Sequence, residues 1–192
     1  MTRPIYPINL IKDLYIKRHK MPWDTVKKIM SSPKDLDRFK KWIRVLQEEL
    51  GWEEKIVLPI HEHLFIVNKD NRLIVKGKCG YEYGDYRENW KLRCSIYVRK
   101  DEDSLNELWG ELLSPDPHWT EFREYYCPGC GTLLDVENVP PGYPPIFEFL
   151  PDLEGFYKEW LDEEIEAENL SFEDKSMDLV DKWSKELESE RE

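Results

Sequence analysis

The stretch Cys127-Pro128-Gly129-Cys130-Gly131, set between Phe122–Tyr126 and Thr132–Val136, decides how this chain reads. Two thiols two residues apart, with Pro inside the turn and Gly after the second, form half of a tetrahedral metal site. The glycine relieves strain where the backbone folds its N–H groups toward the sulfurs. Strand-like residues flank the pair on both sides. Upstream, Cys79-Gly80 repeats the Cys-Gly ending and predicts a second turn facing the first. Zinc suits such thiolates and a structural role. The expected fold is α+β: a small antiparallel sheet with a zinc-ribbon-like knuckle, a helical N-terminal arm and a helical C-terminal extension.

Cys79, Cys127 and Cys130 are the expected metal ligands, and the fourth place stays open. Cys94 is one candidate. Alternation with Leu92, Ile96 and Val98 sets it on an apolar face, where a cysteine serves as a small hydrophobe, although the same strand can deliver it beside the Cys79 turn. His118, His61, His63 and Asp85 are the other candidates. His61-Glu62-His63 reads as an exposed polar hairpin, and His118, between Pro117 and Trp119, as a local hydrogen-bonding residue.

Upstream of the cysteines, a short helix is predicted from Ile8 to Arg18 and a second, capped by Asp24, ending near Met30. Ser32 then reads as an N-cap with Pro33 at the first helical position and Asp35 in the first turn. Leu36, Phe39, Ile43, Leu46 and Leu50 form one apolar stripe ending at Gly51. Strands are predicted over Ile56–Ile60, Leu64–Val67 and Arg72–Lys76, the last two joined by a turn at Asn68–Asn71. Another strand is expected from Trp90 to Arg99. A helix from Ser104 to Leu113 is expected to bury Leu105, Leu108, Trp109 and Leu112.

Downstream, Val139–Pro145 holds four prolines and one glycine and cannot join a central strand. Asp152 is expected to cap a helix carrying Phe156, Trp160, Leu161 and Ile165. Ser171-Phe172-Glu173-Asp174 resembles a capping box for a last amphipathic helix with Met177, Val180, Trp183 and Leu187. The division expected is an arm over 1–30, a zinc-binding domain over 31–161 and an acidic amphipathic tail over 162–192.

The formal net charge of the 192 residues is −12, and residues 162–192 hold 13 acidic and 4 basic residues, a net of −9. That balance argues against binding nucleic acid through phosphates. The acidic tail reads as a solvated segment. Four cysteines in so long a chain are too few for a disulfide framework. No signal-peptide pattern opens the sequence, and no run approaches the roughly 20 apolar residues of a membrane helix. A cytoplasmic setting, where thiols stay reduced, is expected. Eight Trp, ten Tyr and seven Phe suggest a subunit that buries surface against something larger. Tyr86, Arg87 and Trp90 read as interface anchors. The glycines at 77, 80 and 84 open no helix, so no phosphate loop is present.

Several segments resemble the gamma subunit of acetone carboxylase. They are Ser32-Pro33-Lys34-Asp35 with Arg38-Phe39, Ile56–Pro59 with Leu64-Phe65-Ile66-Val67, and Asp85–Leu92. Further along lie Arg123-Glu124-Tyr125 with Cys127–Thr132, then Pro151-Asp152 with Glu154-Gly155-Phe156-Tyr157. The resemblance runs from Met30 to Leu161. It implies a small, non-catalytic, zinc-binding subunit whose partners are large alpha and beta carboxylase subunits related to hydantoinases. Those partners would hold ATP and manganese and join acetone to bicarbonate, giving acetoacetate without biotin. The family pattern has a cysteine where this chain has Gly77, so a four-thiolate site does not carry over. A stand-alone zinc-ribbon adaptor is the alternative. An independent metal hydrolase would need an open coordination site and a general base.

Overall fold

The run Leu64-Phe65-Ile66-Val67 has no polar alternation because both its faces are covered. Ile56, Phe65 and Val67 pack against Ile43, Leu46, Leu50 and Trp52 on one side. On the other, Val57, Leu64, Ile66, Leu73 and Val75 form the main core with Tyr83, Tyr86, Cys127, Leu134, Leu153 and Tyr157. The computed structural model describes residues 5–189. The first four residues of the expected arm and the last three of the expected tail lie outside the described residues.

The fold is α+β, with two small antiparallel sheets rather than one. Strands β1 (Lys55–Pro59), β2 (Leu64–Lys69), β3 (Arg72–Gly77) and β4 (Glu82–Asp85) follow one another in the first sheet. Asp70 and Asn71, both at positive φ, make the two-residue turn between β2 and β3. Strands β5 (Ser95–Arg99), β6 (Glu121–Tyr126) and β7 (Leu133–Val139) form the second sheet.

Helices α1 (Ile8–Ile16) and α2 (Trp23–Ser31) pack through Leu14, Val26 and Ile29. Asp24 lies inside the first turn of α2 and caps nothing; Pro22 is the N-cap. Helix α3 begins at Arg38, later than the Ser32 reading, and runs to Leu50, where Gly51 closes it in the left-handed region. The Ser32 hydroxyl donates back to the Lys28 carbonyl at 2.5 Å, and Lys34 donates to the Ile29 carbonyl at 2.8 Å, so both finish α2. Asp35 is buried between Arg38 and Lys41, at 2.6 and 2.8 Å. Leu36 stays exposed and leaves the stripe.

The strand expected from Trp90 starts only at Ser95. Asn89 accepts a hydrogen bond from the Lys91 amide at 3.1 Å and turns Trp90–Arg93 into a 3-10 helix. Helix α4 (Glu102–Trp109) is capped by Asp101 and buries Leu105, while Leu108 and Leu112 face solvent. Asp152 does cap helix α5 (Leu153–Gly155), its carboxylate accepting from the Gly155 amide at 2.9 Å. That helix widens into a π-turn over Phe156–Leu161 and stops at Asp162, so Ile165 falls beyond it and Trp160 is exposed.

The largest departure is in residues 162–179, which are not a solvated tail. Asn169 is buried, accepts from the Leu73 amide at 2.8 Å and donates to the Leu73 carbonyl at 2.9 Å. The Lys175 amide donates to the Arg87 carbonyl at 2.9 Å. At the start of helix α6 (Ser176–Ser189) the Asp174 carboxylate accepts from the Ser176 amide at 2.8 Å; the helix buries Leu179 and leaves Met177 and Leu187 exposed. This strap covers two of the three expected interface anchors. Tyr86 is buried and donates to the Ser171 carbonyl at 2.9 Å, and Arg87 donates to the Ser171 hydroxyl at 2.8 Å. Among the described residues no helix is long and apolar enough to cross a membrane.

Candidate metal centre

The two cysteine turns come from different sheets. Between β3 and β4, the Gly77 amide donates to the Tyr81 carbonyl at 2.7 Å and the Gly80 amide to the Gly77 carbonyl at 2.8 Å, presenting Cys79. Between β6 and β7, the Cys127 amide donates to the Thr132 carbonyl at 2.9 Å and the Gly131 amide to the Cys127 carbonyl at 2.8 Å. Gly131 sits at φ +70°, where a side chain would be strained. The turns meet so closely that a Cβ on Gly129 would lie 3.0 Å from Tyr81 Cβ and 3.3 Å from Cys79 Sγ. The sulfurs of Cys79, Cys127 and Cys130 all lie within 4.8 Å of one another, with Cys79 and Cys127 3.5 Å apart. Two thiolates on one zinc, each about 2.3 Å from it, would stand about 3.8 Å apart at a tetrahedral angle. The spacing suits a metal.

The electrostatics also suit thiolates. Hydrogen bonds from the Thr132 hydroxyl, 3.2 Å from Cys130 Sγ, and from the Thr132 amide hold the Cys130 thiol down at about 7. Desolvation pushes Cys79 the other way, against a backbone hydrogen bond from Tyr81. Tyr83 carries the most pointed test of fit. Its ring is 1% exposed and its hydroxyl has no hydrogen-bond partner. Burial first, and then the adjacent Cys127 sulfur, push this phenol well above the ordinary tyrosine range, so it stays a donor. A buried donor without an acceptor is costly. A Cys127 thiolate held by a cation supplies that acceptor, and these residues therefore fit zinc.

Cys94 stands apart from the three-sulfur cluster. Its thiol points at the Trp90 carbonyl, 3.7 Å away, and burial pushes it up to about 12, helped by the nearby Cys127 charge. His118 is an exposed partner of Asp116 at 2.9 Å. Asp85 accepts from Arg87 and Asn169. His61 and His63 sit in the β1–β2 turn, their rings 5.8 Å apart. Among the described residues none of these joins the sulfurs.

A second set of ligand-type side chains, Asp135, Glu137 and Glu148, also converges. Here the cation is a residue. The buried Lys91 ammonium lies 2.5 Å from Asp135, 2.8 Å from Glu137 and 3.2 Å from Glu148. Burial alone would lower the lysine and raise Glu137, but hydrogen bonds reverse both shifts, from Asp135 and then Glu137 at the lysine and from Lys91, Tyr125 and the Ile146 amide at Glu137. Glu137 also accepts from the Tyr125 hydroxyl at 2.6 Å and the Ile146 amide at 3.0 Å. The Val139–Pro145 segment and the residues after it are thereby tied to their own sheet. Neither Lys91 nor Tyr83 is visible as a site residue in the sequence. The only signal for Tyr83 is its alternation with Tyr81 just after Cys79.

A family model described as the acetone carboxylase gamma subunit matches residues 50–161, which include all four cysteines. The chain is 44% identical over 140 residues to the acetone carboxylase gamma subunit of Xanthobacter autotrophicus, an alignment covering 72% of this chain and 83% of that one. It is 32% identical over 78 residues to the acetophenone carboxylase beta subunit of Aromatoleum aromaticum, covering 40% of this chain and 60% of that one. Both the extent of the family match and the length of the stronger alignment meet at one conclusion: the chain belongs to the acetone carboxylase gamma subunit family.

Proposed function

We propose that this chain is the small, non-catalytic, zinc-holding subunit of an ATP-dependent ketone carboxylase. Its partners would be large alpha and beta subunits that carry the nucleotide and manganese chemistry. The carrying observation is the cluster of Cys79, Cys127 and Cys130, drawn from turns of two different sheets in a chain of this family. A metal there would join the sheets, and structural zinc contributes folding free energy directly. The buried charges support an architectural role, since Lys91 and Arg123 are engaged with carboxylates, and Asp35 with Lys41, of their own chain. The two named relatives are subunits of carboxylases named for different ketones, acetone and acetophenone, so the substrate class proposed is a ketone.

Purification of the tagged chain from its own cells, with mass spectrometry and metal analysis, tests this. Two large co-purifying subunits, ketone-dependent ATP hydrolysis and about one zinc per chain are expected. A Cys127→Ala change should lose most of that zinc. A chain that elutes alone, still holding zinc, would sink the carboxylase reading in favour of a zinc-ribbon adaptor. Zinc content unchanged in Cys127→Ala would sink the site.

A further inference from the structure

The three sulfurs define three corners of a tetrahedron, and the described residues supply no donor at the fourth. Among the described residues, no His, Asp, Glu or further Cys places a ligand atom in the cluster. Cys94 is turned toward the Trp90 carbonyl. The backbone itself marks a place next to the cluster. A Cβ built on Gly77 would lie 3.7 Å from Cys79 Sγ, with Tyr83 Cε2 at 3.3 Å and the Tyr81 carbonyl at 3.5 Å. Gly77 does not occupy the left-handed region, so a side chain there needs only a small shift of the Tyr83 ring. Cys79 and Cys130 are exposed, and the cluster therefore meets solvent. The buried, unpartnered Tyr83 hydroxyl supports a ligated thiolate at Cys127, one of the three corners already counted. Zinc with three protein ligands and one outside donor is the open arrangement, as distinct from the closed shell of purely structural sites.

We infer that the metal centre is a three-thiolate site whose fourth position, beside Gly77, takes an exchangeable soft ligand from outside the chain, a thiol displacing water. This rests on the metal-binding reading above. In the exchange, the incoming sulfur bonds to the metal as water leaves, and the thiol proton passes to solvent. No redox change occurs.

The test uses the full chain loaded with cobalt(II), whose sulfur-to-metal absorption reports the ligand set, titrated with 2-mercaptoethanol. A saturable rise in that absorption is expected in the wild type. In Gly77→Cys the absorption should start high and ignore the added thiol. Removal of cobalt by a chelator should slow by at least about tenfold, the lower end of what even supporting residues contribute to metal affinity. A wild-type spectrum that ignores thiol, with Gly77→Cys indistinguishable from it, would overturn the open position. So would a Cys94→Ala change that alters the wild-type spectrum, because it would name an internal fourth ligand. Failure of the wild type to bind cobalt or zinc at all would overturn the metal centre itself, an outcome separable from the others.

Discussion

Lys91 shows how one side chain can hold an irregular region together. Its ammonium is 2% exposed and anchors Asp135, Glu137 and Glu148, which come from β7 and the proline-rich connection after it. Removing the cation alone would leave Glu137, equally buried, without its counter-charge. Lys91→Met is therefore expected to destabilise the protein by roughly 3–5 kcal/mol, the range for breaking one side of a buried pair. Urea unfolding would measure it, and a loss under about 1 kcal/mol would mean solvent already screens the cluster. In the sequence Lys91 sits in a run of charge and aromatics that gives no hint of burial. Its role is set by a 3-10 turn that the alternation of Leu92, Ile96 and Val98 conceals. Tyr83 escapes for a related reason, since an orphaned hydroxyl exists only once two distant turns have met. By contrast, the cysteine turns were legible, because Cys-Pro-Gly-Cys-Gly states its own local geometry.

At the level of elements, regular periodicity transferred well and transitions did not. β1, β2 and β3 lie close to where β-branched runs and the Asp70-Asn71 turn put them. Gly51 ends α3 as expected. The start of α3 was misplaced because Ser32 and Lys34 serve the preceding helix, and no local signal says which neighbour a capping group will choose. β4 is polar and aromatic and lacks the alternation that marks a strand; Asn169 continues the pairing of the neighbouring β3 through Leu73. Asn169→Ala would strand the buried Leu73 amide, leave the Leu73 carbonyl to the Tyr86 amide and free Asp85 of one donor. A destabilisation of about 1–3 kcal/mol is expected, the cost of one buried unsatisfied group. Hydrogen exchange at Leu73 should accelerate with it. An unchanged Leu73 amide would show that the strap is not what protects β3.

The whole molecule is two sheets joined by a core, an ion-pair cluster and, on the reading proposed, a metal. Saturating zinc at a thousandfold excess over its dissociation constant would add about 4 kcal/mol to stability. For a chain of this size that is roughly 8–16 °C in melting temperature. Addition of a strong chelator should lower the melting point by about that much and loosen the second sheet first. A melting curve blind to chelation, in protein shown to contain zinc, would make the metal a passenger. The overall α+β class was readable because it follows from element types alone. The second sheet and the strap were not, since β5 pairs with β6 across the intervening helix α4 and the strap depends on contacts such as Leu73 with Asn169, 96 positions apart.

The strap also sets an order of events during synthesis. Leu179 follows Cys130 by 49 residues, so at about 5–20 residues per second both cysteine turns are complete roughly 2–10 s before the strap can close. The nascent chain therefore has a brief interval in which metal capture can organise the two hairpins while Leu73 and Tyr86 still lack their cover. A ribosome that stalls within that interval would display the same aromatic surface that the finished protein keeps to itself.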